Sequence, residues 1–573
     1  MSAPDDEGIA RVLRRFPGGR PLFMLVSDLD HTMVRRGRQI RRRARARAGG
    51  QLRARPRLSA NKARSPSSSL ITNTHTQVQN EDPTHARQLL FNAEWQRTLA
   101  PRSLLVWSTG RSPALFRALW QEAPLLSPDV LVCSVGAEVF FRDPHTGAFV
   151  EDAGWARRLD AGGRWRRGEA EAAARDVPAL APQPASEQRP HKLSFRAPPA
   201  EAGRAAVAAL RAALEARGLG EGVAKVVHSG GADVDVLAAG AGKGGALEAV
   251  RAALMAALAA RAGEAGAAAA AAAAGPGAGG GGEGEPQTQP PPQPPPPLPL
   301  GFQVNGDSGN DAELFDVEGA RGCIVANAHE ELLEYYARRV ERGAPGAAGA
   351  AGDKAGAAAG AGAGGAANGS GALHLASEPC CGGILETLRL FGTAEGMAEQ
   401  EDAELGAEKA EELRRARELI TSGALLAAGG TAAAKAAIAA DGATAARADG
   451  RVVPLAEWAP GPVEGSGGVE WIDQLRTRHA GEGVVVATYE RWWWCGCGGK
   501  EEEGAGAAAT ATATATTATA ATAPGSGRRA CLTTAVLRRR PGAGCEMEVV
   551  HVHEGPPVVA AAALERLDEL VEG

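Results

Sequence analysis

Two carboxylates, Asp28 and Asp30, directly follow an apolar run at residues 21–26. Such a run predicts a buried strand of a parallel sheet, and doubly wound sheets bind ligands just beyond the carboxyl ends of their strands. A carboxylate in that place can act as a nucleophile and form an aspartyl-phosphate. The same Asp-x-Asp pattern is typical of a turn with side-chain hydrogen bonds. The segment by itself therefore leaves a turn and a nucleophile open.

Two further segments carry groups that can bind phosphate. The apolar run at residues 103–107 ends in Ser-Thr-Gly-Arg-Ser-Pro at residues 108–113. A hydroxyl, a small glycine and a helix start at a strand end form a cradle of hydroxyl and backbone N–H donors. Lys243 lies in a glycine-rich stretch before a helix that we predict to open at Ala246. Its ammonium would place a point charge on a phosphoryl group.

A fourth segment adds two carboxylates, Asp307 and Asp311. They follow the apolar run at residues 302–305 in a glycine-rich loop and suit Mg²⁺, which proteins bind through few carboxylates together with water and phosphate. Each of the four segments is a weak signal alone. Because each lies at a strand end or a helix start, together they favour phosphoryl-transfer chemistry over a structural turn.

The four segments resemble motifs I to IV of the haloacid-dehalogenase superfamily, and the residues around them are similar to its sucrose-phosphate phosphatase family. The resemblance covers most of residues 20–392 outside the low-complexity stretches. The matching stretches are residues 26–34, 104–113, 127–129, 134–138, 187–195, 229–245, 306–315 and 325–332. The resemblance implies an α/β fold, in which a doubly wound, Rossmann-like parallel sheet forms the core and carries an α/β cap of the C2 type.

The resemblance also implies a role for each acidic residue. Asp28 would attack phosphorus and form the aspartyl-phosphate. Asp30 would protonate the leaving sugar oxygen and then accept a proton from the hydrolytic water, which is general acid–base catalysis. Mg²⁺ would be held by Asp28, the backbone carbonyl of Asp30 and Asp307, with Asp311 behind them. Since all of these side chains are present, we expect an active, Mg²⁺-dependent enzyme.

The remaining implied contacts are to phosphate and sugar. The Thr109 hydroxyl and the Gly110 N–H would donate hydrogen bonds to the transferring group, and Lys243 would offset its charge, as phosphoryl transfer depends mostly on positioning and electrostatics. Arg111 follows the same turn, and Asn310 lies in the fourth motif. The resemblance implies that both contact the phosphorylated substrate.

Residues 140–234 are predicted to form the cap, which in the family is a mobile lid that closes over the sugar and excludes water. Residues 202–217 have helical spacing and residues 191–195 alternate like a strand. His191 and Lys192 match a family motif that faces the sugar. The alternative for Lys192 is a solvated strand residue, because charged side chains are mostly exposed.

Sucrose 6-phosphate is the substrate that the resemblance implies. The alternatives are a phosphatase for another sugar phosphate, such as trehalose or mannosyl-glycerate phosphate, and a non-catalytic partner of sucrose-phosphate synthase. The net charge of −5 and the pI near 6.2 favour neither nucleic acid nor an anionic membrane as a partner. The first sixteen residues lack the apolar segment of a signal peptide, so we expect a cytoplasmic protein.

The domain organisation follows from composition and from the resemblance. The predicted units are a core at residues 20–139 and 235–392, the cap at 140–234, and a C-terminal domain at 400–573. Low-complexity stretches interrupt them at residues 35–78, 262–298, 343–371 and 504–527. The last three are rich in Ala, Gly, Pro or Thr and are predicted to be disordered, because they cannot bury enough apolar surface to offset chain entropy.

The C-terminal domain resembles the extra domain of the plant enzymes, a small α+β fold like nuclear transport factor 2 that is associated with dimerisation. A homodimer through this domain is therefore an expectation. Residues 401–418 have the pattern of a charged helix. The predicted strands are residues 469–475, 484–494, 531–537 and 549–553. The tryptophans at 492–494 could stack on sugar, but buried or interface packing is favoured.

The insert at residues 35–78 is rich in arginine and begins directly after the first motif. A basic run can bind nucleic acid or serve as a nuclear address, although such blocks are usually disordered. Asp28 and Thr109 are 81 positions apart, and removal of these 44 residues would leave 37 and a join similar to uninterrupted family sequence. The insert is either a loop beside the site or translated non-coding sequence, and we favour the second.

We expect the mature transcript to lack codons 35–78, because their removal restores the family spacing between the first two motifs. Sequencing of the transcript tests this. A message that contains those codons would show that the insert is a genuine loop of the protein.

Overall fold

The structure is a computed structural model. It describes residues 6–16, 20–34, 85–160, 163–273, 301–341, 372–422, 435, 437–446, 451–457, 470–494, 528–540 and 545–554. The predicted low-complexity stretches at 35–78, 343–371 and 504–527 lie outside these residues, as does most of the stretch at 262–298. Residues 262–273 are the exception, because they continue a helix. The prediction of disorder is wrong for these residues, which are mostly alanine, the best helix former.

Eighteen strands are described. In chain order they are β1 (Phe23–Ser27), β2 (Ser103–Ser108), β3 (Val130–Cys133), β4 (Glu138–Arg142), β5 (Phe149–Glu151), β6 (Ala181–Pro182), β7 (Lys192–Arg196), β8 (Ala224–Ser229), β9 (Asp233–Ala238), β10 (Gly301–Gly306), β11 (Arg321–Ile324), β12 (Leu373–Leu375), β13 (Ala439–Ala446), β14 (Val452–Pro454), β15 (Glu470–Gly481), β16 (Val484–Trp494), β17 (Arg528–Arg539) and β18 (Met547–Glu554).

Twelve α-helices are described in the same residues. They are α1 (Asp6–Leu13), α2 (Ala86–Glu94), α3 (Pro113–Glu122), α4 (Ala153–Asp160), α5 (Arg167–Arg175), α6 (Ala200–Ala216), α7 (Lys243–Ala273), α8 (Ala312–Phe315), α9 (Glu330–Glu341), α10 (Cys381–Leu390), α11 (Thr393–Leu405) and α12 (Ala407–Thr421). None of these helices combines the length and hydrophobicity needed to cross a bilayer.

The core is an eight-stranded sheet in the order β12-β11-β10-β1-β2-β3-β4-β5. The strands from β12 to β3 are parallel, and β4 and β5 add antiparallel at one edge. The register places Ser27, the last residue of β1, opposite Asn305 of β10 and Trp107 of β2. The carboxyl ends of these strands therefore meet at one edge. The predicted doubly wound α/β core is confirmed.

The central strand is buried on both faces, which explains its continuous apolar run. Met24 and Val26 pack on one face in a cluster with α1 and α7. Phe23 and Leu25 pack on the other face with α2, α3 and α10. Helices on both faces cover a parallel sheet and require apolar residues at every strand position.

The cap has a four-stranded antiparallel sheet in the order β6-β7-β9-β8. Helices α5 and α6 pack against it around Leu193, Leu210 and Val234. The predicted cap boundary at residue 140 is wrong, since β4 and β5 belong to the core sheet. After β3 the chain turns through residues 134–137, and β4 returns antiparallel beside it. At its other end, the cap strand β9 continues to Ala238, beyond the predicted boundary at 234.

The C-terminal domain is a six-stranded sheet in the order β14-β13-β18-β17-β16-β15. Helix α12 packs on it through Leu413, Ala416 and Ile420, so the predicted α+β class is confirmed. The predicted helix at 401–418 is two helices rather than one. They meet at Gly406, whose φ of 83° lies in the left-handed region that glycine adopts at little cost.

Buried tryptophans join the C-terminal domain to the core. Trp492 of β16 lies 5.2 Å from Trp120 of α3 and stacks on Trp471 of β15 at 6.2 Å, measured between ring centroids. Beside them, the buried Asp473 carboxylate accepts hydrogen bonds from the Ser127 N–H at 2.7 Å and from Gln96 at 3.2 Å. The preference for interface packing is thus confirmed for Trp492, whereas the side chains of 493 and 494 lie outside the described residues.

We expect Trp492→Ala to lower the free energy of unfolding by about 3–5 kcal/mol, because it removes a large side chain from a closed cluster. Guanidinium unfolding followed by circular dichroism measures this value. Leu390→Ala is the matched control, since Leu390 is 59 % exposed and its loss should cost less than about 0.5 kcal/mol. A similar small effect for both variants would show that the tryptophan cluster does not hold the two domains together.

Candidate active site

The candidate site lies at the carboxyl ends of β1, β2 and β10 and at the start of α7. Its centre is Lys243, whose buried ammonium lies 2.6 Å from an Asp28 oxygen and 2.7 Å from an Asp311 oxygen. Helix α7 begins at Lys243 itself rather than at the predicted Ala246. The structure thus brings the first, third and fourth motifs into direct contact, although Asp28 and Lys243 are 215 positions apart.

Three carboxylates surround this lysine. Oxygen atoms of Asp28, Asp307 and Asp311 all lie within 4.8 Å of one another. The Thr32 hydroxyl lies 2.9 Å from an Asp307 oxygen and 3.4 Å from an Asp28 oxygen. One ammonium offsets one of the three negative charges, so a surplus of two remains in a buried site. This donor set fits a hard divalent cation, which prefers oxygen ligands.

Asp311 also shapes the loop that carries Asp307. Its second oxygen accepts the backbone N–H groups of Asp307 and Ser308, each at 3.0 Å. Ser308 and Asp311 form a capping box at the short helical turn Gly309–Asp311. Asp311 therefore connects Lys243 to the backbone of the loop, while the oxygens of Asp28 and Asp307 face each other across Thr32.

Burial changes the proton affinities of these groups. Burial raises the pKa of Asp28 to about 7, and the nearby charges of Asp311 and Asp30 add to this, against the lowering effect of Lys243. Burial, with Asp28 and Asp311 adding to it, raises the pKa of Asp307 well above its usual range. Burial favours the neutral form of Lys243, but Asp28 and Asp311 outweigh it and keep its pKa above the ordinary value. Asp28 and Asp307 therefore bind protons more readily than exposed carboxylates do.

Asp30 lies beside this cluster and is held by Arg111. Two guanidinium nitrogens donate to the two Asp30 oxygens at 2.7 and 2.8 Å, and such two-pronged pairs fix orientation as well as charge. The Asp30 side chain remains 23 % exposed. Arg111, which we predicted as a substrate contact, thus contacts the predicted acid–base residue.

The predicted phosphate turn, residues 108–113, lies at the same edge of the sheet. The Thr109 N–H donates to the Val132 carbonyl at 2.8 Å, and the Thr109 hydroxyl oxygen accepts the Arg111 N–H at 3.2 Å. A Cβ atom built on Gly110 would lie 3.6 Å from the Asn310 side-chain nitrogen. The second and fourth motifs therefore meet, and the Asn310 amide also donates to Ser229 of the cap at 3.4 Å.

Lys192 reaches from the cap into this turn. Its ammonium donates to the Gly110 carbonyl at 2.8 Å and lies 3.3 Å from a Glu187 oxygen and 3.7 Å from an Asp235 oxygen. The interpretation of Lys192 as a solvated strand residue is therefore wrong, because the side chain is buried among these partners. Burial favours the neutral amine, but Asp235 and Glu187 keep its pKa above the ordinary value.

The structure adds contacts that the sequence pattern did not assign. Glu187 accepts the Ser112 N–H at 3.2 Å, and Arg189 pairs with Glu138 of the core at 2.8 Å. Both cap residues lie in the stretch 187–195, but nothing in its spacing distinguishes them from surface charges. His191 is buried, and its Nε2 lies 2.7 Å from an Asp160 oxygen. This contact is with α4 rather than with the loops that carry Asp28 and Asp307.

A family model described as "Sucrose-6F-phosphate phosphohydrolase" matches residues 71–261 and 299–352. Probable sucrose-phosphatase 2 of Arabidopsis thaliana is 34% identical over 268 residues, which are 47% of this chain and 52% of that protein. Sucrose-phosphatase 1 of Nicotiana tabacum is 35% identical over 263 residues, 46% of this chain and 51% of that protein. The chain spans about half the length of these curated relatives.

Among solved structures, the sucrose-phosphatase of Synechocystis sp. in complex with sucrose and phosphate is similar to this chain. The similarity covers 65% of this chain and 98% of that chain. The identity is 23% and the TM-score 0.37. The family and curated matches confirm the predicted resemblance to the sucrose-phosphate phosphatases. The family match begins at residue 71 and does not include Asp28 and Asp30. Their assignment to the candidate site therefore depends on their geometry.

The pKa of Asp28 predicts a pH-dependent effect of Asp28→Asn on metal-free protein. Between the ordinary carboxyl value of 3.8 and about 7, the folded chain keeps a proton that the unfolded chain releases, so stability falls as pH rises. Asparagine does not ionise. We therefore expect the Tm of the variant, relative to that of the parent, to be higher at pH 8 than at pH 5, in addition to a pH-independent cost of losing the contact with Lys243.

Differential scanning calorimetry in chelator at the two pH values measures this difference. Asp176→Asn on the cap, where the side chain is 55% exposed, is the control and should change Tm little at either pH. Equal Tm differences for Asp28→Asn at pH 5 and pH 8 would contradict the raised pKa. Added Mg²⁺ should raise the Tm of the parent more at pH 8 than at pH 5.

Proposed function

We propose that this chain is a Mg²⁺-dependent phosphatase that hydrolyses sucrose 6-phosphate to sucrose and phosphate. The observation that carries the proposal is the convergence of Asp28, Lys243, Asp307 and Asp311 in one buried cluster, with Asp30 at its side. The matches to sucrose-phosphatases support this sugar phosphate over others.

The reaction would proceed in two displacements. An Asp28 oxygen attacks phosphorus, the bond from phosphorus to the sugar oxygen breaks, and protonated Asp30 gives its proton to that oxygen. Water then attacks the aspartyl-phosphate and gives a proton to Asp30, which releases phosphate and restores the Asp28 carboxylate. The proton that Asp30 takes from water replaces the one that it gave to the sugar oxygen, so the cycle is balanced.

Positive charge and hydrogen-bond donors stabilise the transferring group. Lys243 supplies a fixed ammonium that its two carboxylate partners keep protonated. The Thr109 hydroxyl and the Gly110 N–H supply donors at the neighbouring strand end.

Mg²⁺, which Asp28, Asp307 and the Asp30 carbonyl would hold, would supply further positive charge against the phosphoryl oxygens. Arg111 keeps the Asp30 carboxylate in one orientation.

The cap would select the sugar and exclude water. Lys192 and Glu187 bring cap polar groups to within hydrogen-bond distance of the phosphate turn. The Glu187 Oε1 atom is buried and has no hydrogen-bond partner among the described residues. A buried acceptor of this kind gains free energy from a donor, and a sugar hydroxyl can supply one. Specificity would then include loss of binding for sugars that lack the hydroxyl.

Three further expectations stay predictions. The homodimer through the C-terminal domain and the association with sucrose-phosphate synthase rest on the resemblance, and the cytoplasmic location rests on the composition of the first sixteen residues.

The test is phosphate release from a panel of phosphosugars, with Mg²⁺ and with chelator. We expect sucrose 6-phosphate to have the highest kcat/KM, with trehalose 6-phosphate, a mannosyl-glycerate phosphate and glucose 6-phosphate below it, and no release in chelator. Asp28→Asn should lose about 10³-fold or more in kcat, because it removes the nucleophile. Equal rates on the other phosphosugars would contradict the substrate assignment. Failure of folded protein to release phosphate would favour the non-catalytic role.

A further inference from the structure

Asn327 makes two hydrogen bonds that connect distant parts of the core. It lies in the loop between β11 and α9. Its side-chain nitrogen donates to the His31 carbonyl at 2.7 Å, and its side-chain oxygen accepts the Cys380 N–H at 2.8 Å. One amide group therefore joins the loop after the candidate nucleophile to the residue that directly precedes α10.

Both residues that Asn327 contacts, His31 and Cys380, have a backbone conformation that residues with side chains disfavour. The φ angle is 58° at His31 and 53° at Cys380, and residues other than glycine rarely have positive φ. Strained positions of this kind persist when surrounding contacts hold them, and they are concentrated at functional sites. The Asn327 amide supplies such a contact at each of the two positions.

His31 directly follows Asp30 in a closely hydrogen-bonded loop. The His31 N–H donates to the Val34 carbonyl at 2.7 Å, and the Val34 N–H donates to the Leu29 carbonyl at 2.9 Å. These bonds lie within the loop, and side-chain contacts of Thr32 with Asp307 and of Asp30 with Arg111 attach it to the site. The bond from Asn327 is a further attachment, made to the backbone of the loop rather than to its side chains.

The helix that Asn327 contacts through Cys380 is packed into the core. Helix α10 packs into the core through Ile384, which is fully buried. Two residues beyond Asn327, the His329 N–H donates to the Asp307 carbonyl at 2.7 Å. The loop that carries Asn327 therefore contacts both loops that supply the acidic cluster.

We propose that Asn327 is a positioning residue that holds the loop of residues 29–34, and with it Asp30, in the orientation needed for catalysis. The catalytic part of this inference rests on the proposed phosphatase function. Asn327 itself touches the backbone of the loop rather than the reacting atoms. Its loss should therefore release the loop and lower kcat, with little effect on substrate binding.

Asn327→Asp tests this, because it replaces the donor by an oxygen that faces the His31 carbonyl while the acceptor for Cys380 remains. The matched control is Asn92→Asp. The Asn92 amide also donates to a backbone carbonyl, that of Pro124, at 2.7 Å, but on helix α2. Asn327→Ala is the second variant in case the aspartate prevents folding.

Two measurements are made on the full-length protein. Hydrogen–deuterium exchange of the peptide covering residues 29–34 should become about 10-fold faster or more in both Asn327 variants and stay unchanged in Asn92→Asp. With sucrose 6-phosphate and Mg²⁺, kcat should fall about 100-fold while KM changes less than about two-fold, because a small misplacement of a catalytic group has this effect. Asn92→Asp should keep the parent kcat.

Unchanged exchange at residues 29–34 in both Asn327 variants would overturn the proposal. An equal loss of kcat in Asn92→Asp would also do so, since it would indicate a general structural effect, as would faster exchange with an unchanged kcat. If the parent chain releases no phosphate, the proposed function fails. The exchange data then still decide whether Asn327 holds the loop.

Discussion

The buried lysine at the centre of the site is the constraint on which the rest depends. Lys243 has no exposed surface and is balanced by Asp28 and Asp311, so removal of either carboxylate would leave a buried charge less well compensated. The carboxyl ends of β1 and β10 and the start of α7 must therefore meet at one point. One ammonium offsets one of the three negative charges of Asp28, Asp307 and Asp311, and the remaining carboxylates form a donor set that fits a divalent cation rather than a closed salt bridge.

The other domains are attached to this centre by buried polar and aromatic contacts. The cap reaches the phosphate turn through Lys192 and the core sheet through Arg189, so it covers the edge of the sheet where the strands end. The C-terminal domain packs Trp492 on α3, the helix that starts directly after that turn. Helix α3 therefore lies between the edge of the sheet that carries the candidate site and the C-terminal domain. The loop of residues 29–34 is closed by its own backbone bonds and by Asn327, although a long insert follows directly after it.

The sequence predicted the parts of the fold that depend on local pattern. The apolar runs before Asp28, Thr109 and Asp307 are strands because each is buried on both faces of a parallel sheet. The cap boundary was wrong, because the residues of β4 do not show which sheet it joins and only its pairing with β3 assigns it to the core. The prediction of a single helix at 401–418 was wrong, because Gly406 separates two helices there. A glycine within a helical pattern does not by itself show that the chain turns at that residue.

By itself the sequence determined the chemistry: which strand ends carry carboxylates, hydroxyls and a lysine, and so which reaction they suit. Only the tertiary structure decided how these groups are paired. Arg111 pairs with Asp30 across 81 positions, and Asn327 reaches His31 across 296. The physical reason is that a strand or helix follows from spacing along a few residues, whereas the partner of a buried polar group is whichever group packing places within about 3 Å of it. Lys192 is the clearest case, because its strand is predicted correctly while its burial depends on contacts from both the core and the cap.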